Sequence, residues 1–172
     1  MRNCGPAMIK HLLLTLTLTL TALLASASAG TYKLPKDSPI ASVSFPEGWK
    51  VEASDESVDA SSNDEEIYIN IEFNDADSLE GAIEETFGYL KKNKVKIDKA
   101  TEKKTEGDFQ GMKVVNYDWD GEDSDGKCKI SLAVLGVTAK KALLMLYWAS
   151  PEGEKKHEKE LNSILSSIKP IK

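Results

Sequence analysis

Between residues 67 and 92 the apolar residues change period, and that change constrains the fold more than any other feature of the chain. Ile67, Ile69, Ile71 and Phe73 alternate with Tyr68, Asn70 and Glu72, the period of two that turns one face of a strand to a core. Leu79, Ala82, Ile83, Phe87 and Leu90 follow at helical spacing over Ser78 to Lys92. Asp77 as cap and Glu80 three residues on make an Asp variant of the capping box, while Glu80, Glu84, Glu85, Lys91 and Lys92 take the wet side. A one-striped helix directly after a one-sided strand has to lie on a sheet.

The rest of the chain supplies that sheet. Gly30 to Pro39 reads as an extended lead-in, Ile40 to Phe45 as a strand, Pro46-Glu47-Gly48 as a turn, and Trp49-Lys50-Val51 as the start of the next strand. Residues 54 to 65 are rich in Ser, Asp, Glu and Asn and read as a mobile loop. Val95 to Ile97 is a short apolar run, and Thr101 to Glu106 is polar enough to be only an edge strand or a loop. Met112 to Trp119 puts Val115, Tyr117 and Trp119 on one face, and Asp120 to Gly126 reads as an acidic hairpin loop. Lys127 to Val137 puts Cys128, Ile130, Leu132 and Val134 on one side, and the apolar Ala142 to Ala149 reads as a central strand. A last helix is capped by Ser150, has Pro151 at its first position, buries Leu161, Ile164, Leu165 and Ile168, and stops at Pro170. Strands, helix, antiparallel strands, helix is an α+β pattern, with helices covering an antiparallel sheet.

Residues 1–29 carry an address. Arg2 and Lys10 form a positive region, Leu12 to Leu24 an apolar run, and Ala27-Ser28-Ala29 a small-x-small cleavage pattern. The run is too short for the ~20 residues of a membrane span. The expectation is a cleaved signal peptide and one domain over 30–172, periplasmic or secreted, with no retained membrane span. Arg2 and Lys10 are the leader's only charged side chains. The remainder therefore holds 20 basic against 28 acidic residues, a net charge of −8. No basic stripe is present, which excludes nucleic acid as a partner. Cys4 precedes the apolar run and cannot carry a lipobox lipid. Cys128 is then left alone, without an internal disulfide partner, and reads as a small core residue.

No catalytic set stands out. His157 is the one histidine after the leader and, among Glu154, Lys155, Lys156 and Glu158, reads as a solvated helix residue. One histidine and one cysteine do not make a zinc site of usual composition. No G-x-S-x-G, P-loop or G-x-G-x-x-G motif occurs. The chain reads as a non-enzyme with no cofactor. Asn116, Asp118, Asp120 and Gly121 match the opening of a calcium loop, but Lys127 stands where the bidentate carboxylate belongs. As an EF-hand the segment fails. Asp118, Asp120, Glu122, Asp123 and Asp125 remain weak candidates for an open cation site, against the plainer reading of a soluble turn. Trp49, Trp119, Trp148, Tyr147 and Tyr117 lie on or beside strands. Buried they are core, and on an uncovered sheet face they make a partner-binding patch.

Four segments together resemble the PsbP/Mog1/DcrB-like superfamily: SVSFPEGWKV (Ser42 to Val51), DSLEGAIEETFGYLKK (Asp77 to Lys92), GMKVVNYDW (Gly111 to Trp119) and ILSSIKP (Ile164 to Pro170). The resemblance implies an αβα sandwich, an antiparallel β-sheet flanked by helices. It also implies a non-catalytic role, since members include photosystem accessory subunits, a binder of a small GTPase, envelope lipoproteins and effector chaperones. It carries over no site residue. The leading expectation is an exported accessory domain that binds an envelope protein. The alternatives are a small-ligand or cation-binding module, using hairpin 116–126 or a cleft between helix and sheet, and a carboxylate-based hydrolase.

Overall fold

The computed structural model describes residues 30–171, so the expected leader lies outside them. In chain order the elements are β1 (Gly30–Leu34), β2 (Ala41–Phe45), β3 (Lys50–Ala53), β4 (Ser57–Ser61), β5 (Ile67–Asp75), α1 (Leu79–Lys92), β6 (Lys96–Phe109), β7 (Met112–Glu122), β8 (Lys127–Gly136), β9 (Lys141–Ala149), α2 (Pro151–Lys156), α3 (Glu158–Ser167) and β10 (Lys169–Pro170). Seven strands form one antiparallel sheet in the order β3-β4-β5-β9-β8-β7-β6, and β1-β2-β10 form a second. The apolar β9 occupies the centre of the large sheet, where both faces are covered.

The period of two sorts the core into two layers. Ile67, Ile69 and Ile71 of β5 join Val43, Phe45, Trp49, Leu143 and Ile164 beneath the small sheet and α3. On the opposite face Leu144 and Leu146 join Cys128, Ile130, Leu132, Ala82 and Leu90 beneath α1. The result is the expected sandwich, with α1 as one outer layer and the small sheet with α2 and α3 as the other. β6 is an edge strand, as its polarity requires; its lysines and the register shift between Asp98 and Lys103 guard it against pairing with another chain.

Four local expectations are corrected. Residues 54–65 are not all loop: β4 pairs with both β3 and β5, burying Val58 and Ala60 between outward Ser57, Asp59 and Ser61. Asp77 does not cap α1; Ser78 stands at the cap without a side-chain bond to the helix, and its hydroxyl donates back to the Asp75 carbonyl. The last helix is two helices that break at His157. Pro170 ends no helix; α3 stops at Ser167, and Lys169–Pro170 pair with β2. Ser150 does cap α2, accepting from the Gly153 amide at 2.8 Å, with Pro151 next to it. Among the described residues no helix is long and apolar enough to cross a membrane.

Candidate functional site

A seven-stranded sheet at ~4.8 Å per strand is about three helix diameters wide. One helix therefore leaves much of its face open. α1 lies over β5 and β9 and buries Ala82, Thr86 and Leu90 at i, i+4 and i+8. Thr86, not Phe87, takes the centre of the stripe, and its hydroxyl is satisfied by the Ala82 carbonyl at 2.9 Å. Phe87 is 39% exposed and Tyr89 38%. Residues two apart on a helix point about 200° apart, so the two rings lean to opposite flanks of α1.

Each ring meets an aromatic belt on the sheet. Tyr68, Trp148, Ile130 and Trp119 are register neighbours on β5, β9, β8 and β7, one row across four strands. On one flank Tyr89 stacks on Tyr68 at 5.5 Å, and Tyr68 meets Trp148 edge-on at 6.3 Å. On the other, Phe87 meets Trp119 edge-on at 5.9 Å, and Trp119 stacks on Tyr117. The polar ends of Trp148, Trp119 and Tyr68 each go to a carboxylate. Trp148 Nε1 donates to Asp123 at 2.8 Å, Trp119 Nε1 to Glu102 at 3.0 Å, and the Tyr68 hydroxyl to Asp59. Burial, then the Asp59 carboxylate, pushes the Tyr68 phenol above its ordinary range, so it stays a donor.

Beside the Tyr68–Trp148 end lies an acidic cleft of about 980 Å³. Its walls are the β4–β5 turn, the β7–β8 turn and the start of α2, contributing Asp64, Glu65, Glu66, Asp123, Asp125 and Glu152 against Lys127. The hairpin loop is shorter than its composition suggests, because β7 runs to Glu122 and leaves only Asp123 to Gly126 outside the strands. The candidate carboxylates are dispersed among separate partners. Asp118 accepts from Asn116 at 2.8 Å and from the Ser131 hydroxyl, and Asp120 is paired with Lys129, which holds its carboxyl below the usual range. Asp123 accepts from the Asp125 and Gly126 amides as well as from Trp148, while Asp125 stays in the turn and Glu122 ends the strand. Among the described residues no three His, Cys, Asp or Glu side chains are grouped to hold a metal ion.

His157 is not a solvated helix residue. Its side chain is 12% exposed, with Nε2 3.0 Å from Asp64 and Nδ1 3.0 Å from Glu160. Glu160 also accepts from Trp49 Nε1 at 2.7 Å, and Asp64 from Lys156 at 2.6 Å and from Ser62 at 2.7 Å. This cluster pins the α2–α3 break to the β4–β5 turn. Cys128 is buried in the α1-side core, and burial followed by the nearby Asp123 charge pushes its thiol up to about 11. It is the small core residue its position on the strand implies.

The backbone arrangement recurs in other proteins. No family model matches the chain, and no curated protein matches it. Among solved structures, cyanobacterial PsbP (CyanoP) from Synechocystis sp. PCC 6803 superposes with a TM-score of 0.55 at 10% identity, over 90% of this chain and 99% of that one. LpqN, involved in cell envelope biogenesis of Mycobacterium tuberculosis, superposes with a TM-score of 0.51 at 10% identity, over 84% and 92%. The chain has a PsbP-like fold. A Bacteroides thetaiotaomicron protein also matches, with a TM-score of 0.55 and 13% identity over 85% of this chain; the chain spans about half of that protein's length. Identities this low establish the PsbP-like fold alone. The belt under α1 is therefore a feature read from this chain's own residues.

Proposed function

We propose that the chain is an exported, non-catalytic accessory domain that binds another protein of the cell envelope through the face around α1. The observation that carries this reading is the exposure of Phe87 and Tyr89 on opposite flanks of one helix, Tyr89 continued onto the sheet by the half-buried Tyr68 and Trp148, and Phe87 seated on the buried Trp119 with half-buried Tyr117 beyond it. Aromatic side chains that are rigid and part-exposed are the usual anchors of protein interfaces. The acidic cleft beside one flank favours a partner with basic side chains. Export is supported by the sequence of residues 1–29, with cleavage near Ala29/Gly30. The likeness to LpqN, whose role is in the envelope, is in keeping with that address.

The test places a photo-crosslinking amino acid at position 87 in the full chain expressed in its native host's envelope. One stoichiometric adduct, lost when Tyr89→Ser is added, is the expected result. The protein remaining free, or a ladder of adducts indifferent to Tyr89→Ser, overturns the assignment of the face. Intact mass of the exported protein tests the leader separately: a mature chain beginning at Gly30 is expected.

A further inference from the structure

The outer layer opposite α1 is narrower than the sheet it covers. α3 packs one side against β2, where Ser167 bonds the Ser44 backbone, and turns Glu158, Leu161, Asn162 and Leu165 toward open sheet. Between that side of α3 and strands β5, β9, β8 and β7 lies a cleft of about 400 Å³, within the ~300–1,000 Å³ range of small-molecule sites. Ile69, Met145 and Tyr147 form its floor, and Leu161 and Leu165 its wall.

The charged groups lining the cleft have one sign. The donors of its sheet side are already given to carboxylates: Asn116 Nδ2 and the Ser131 hydroxyl to Asp118, and the Tyr147 hydroxyl to Glu154 at 3.0 Å. Burial, reinforced by the Glu154 charge, keeps that phenol protonated. Lys129, whose charge Glu154 feels, is paired with Asp120. Glu154 and Glu158 stand at the cleft with no lysine or arginine lining it. An entering molecule therefore meets apolar carbon below and carboxylate at the mouth. A carboxylate- or phosphate-bearing ligand would find no free cation and like charge. We propose that this cleft binds a small cationic amphiphile, an apolar chain or ring seated on Met145 and Leu161 with an ammonium group against Glu158 and Glu154. This site is separate from the α1 face and does not depend on the protein-binding role.

The probe is dodecylammonium, added below its micelle concentration to the purified full chain and read by displacement of the neutral fluorophore N-phenyl-1-naphthylamine. The expected result is saturable displacement at one site per chain, with laurate much weaker. Leu161→Trp, which fills the cleft, abolishes fluorophore binding. Glu158→Lys, at an exposed position, leaves the fluorophore bound but weakens dodecylammonium roughly tenfold, as expected for reversing one charge near the ammonium. Phe87→Ser changes neither. No saturable binding overturns the site, and so does retention of the fluorophore in a folded Leu161→Trp. Laurate binding as tightly as dodecylammonium overturns the ligand class. Should Leu161→Trp fail to fold, the Glu158→Lys and laurate comparisons still decide.

Discussion

Replacing His157 with Gln tests whether the pin at the α2–α3 break stabilises the fold through charge. The ring is 12% exposed and faces Asp64 and Glu160, both at 3.0 Å, with Lys156 on the same Asp64 oxygen and the Trp49 indole edge-on at 6.4 Å. Hydrogen bonds to charged groups contribute ~1.5–3 kcal/mol each when well buried. Asp64 is 26% and Glu160 43% exposed, so solvent screening reduces the pair to about 2 kcal/mol in total. That corresponds to roughly 6 °C in Tm for a domain of this size. The Asp64 bond, and then Glu160, hold the His157 pKa above its ordinary 6.5 against the opposing effect of burial. A raised histidine pKa stabilises fully below 6.5, and the contribution is lost as pH rises through the folded value. Asp64 is held well below its ordinary 3.8 by Lys156 and then His157, so its own contribution is present above 3.8 and lost as pH falls. The pin is strongest from about pH 4 to 6.5. Urea unfolding of wild type and His157→Gln at pH 5.5 and pH 9 measures it, other titrating groups cancelling in the difference. The variant should lose about 2 kcal/mol at pH 5.5 and less than half of that at pH 9. An equal loss at both values would show that the ring acts by shape alone and refute the argument.

Three other outcomes are expected. Gly153→Ala brings a Cβ within 2.6 Å of the Glu66 Cβ and 3.0 Å of its carbonyl oxygen; displacing α2 from the β4–β5 turn should cost about 1–3 kcal/mol by thermal denaturation, and an unchanged Tm would mean the turn yields freely. Cys128, with its thiol buried and its pKa at about 11, should react with Ellman's reagent at pH 8 only as fast as the protein unfolds; prompt native labelling would show an open path to the sulfur. Calorimetry with millimolar calcium should give no heat from the hairpin, because Asp118, Asp120 and Asp123 already serve Ser131, Lys129 and Trp148; a saturating exotherm lost in Asp125→Asn would reinstate a cation site.

What the chain discloses in its own order depends on how far apart the deciding residues lie. The faces of β5, β7, β8 and β9 were legible because side chains two apart share a side whatever the partner strand is. β4 escaped because its inward residues are only Val58 and Ala60, too little apolar surface to rise above the serines and acids around them. The break at His157 has no signal within the helix. Its cause is Asp64, 93 residues away, and a helix-forming stretch bends there because two carboxylates and an indole hold the ring.

The belt shows the same limit in sharper form. Parity alone puts Tyr117 and Trp119 on one face of β7, and it sets Tyr68 opposite Ile67 and Ile69 on β5 and Trp148 opposite Tyr147 on β9. Whether these rings meet depends on a register set by three separate strand pairings, Tyr68 with Trp148, Trp148 with Ile130, and Ile130 with Trp119. A slip of one residue in any of them would turn the affected strand's aromatics to the other core. Exposure adds a further condition. Phe87 falls on the helical stripe and reads as core, yet a single helix on seven strands has flanks with no layer above them, and Phe87 sits on one. The aromatics were visible as residues from the start. That they gather in two groups on either flank of one helix is a consequence of sheet width and register, and a partner gripping Phe87 and Tyr89 would be reading those two properties.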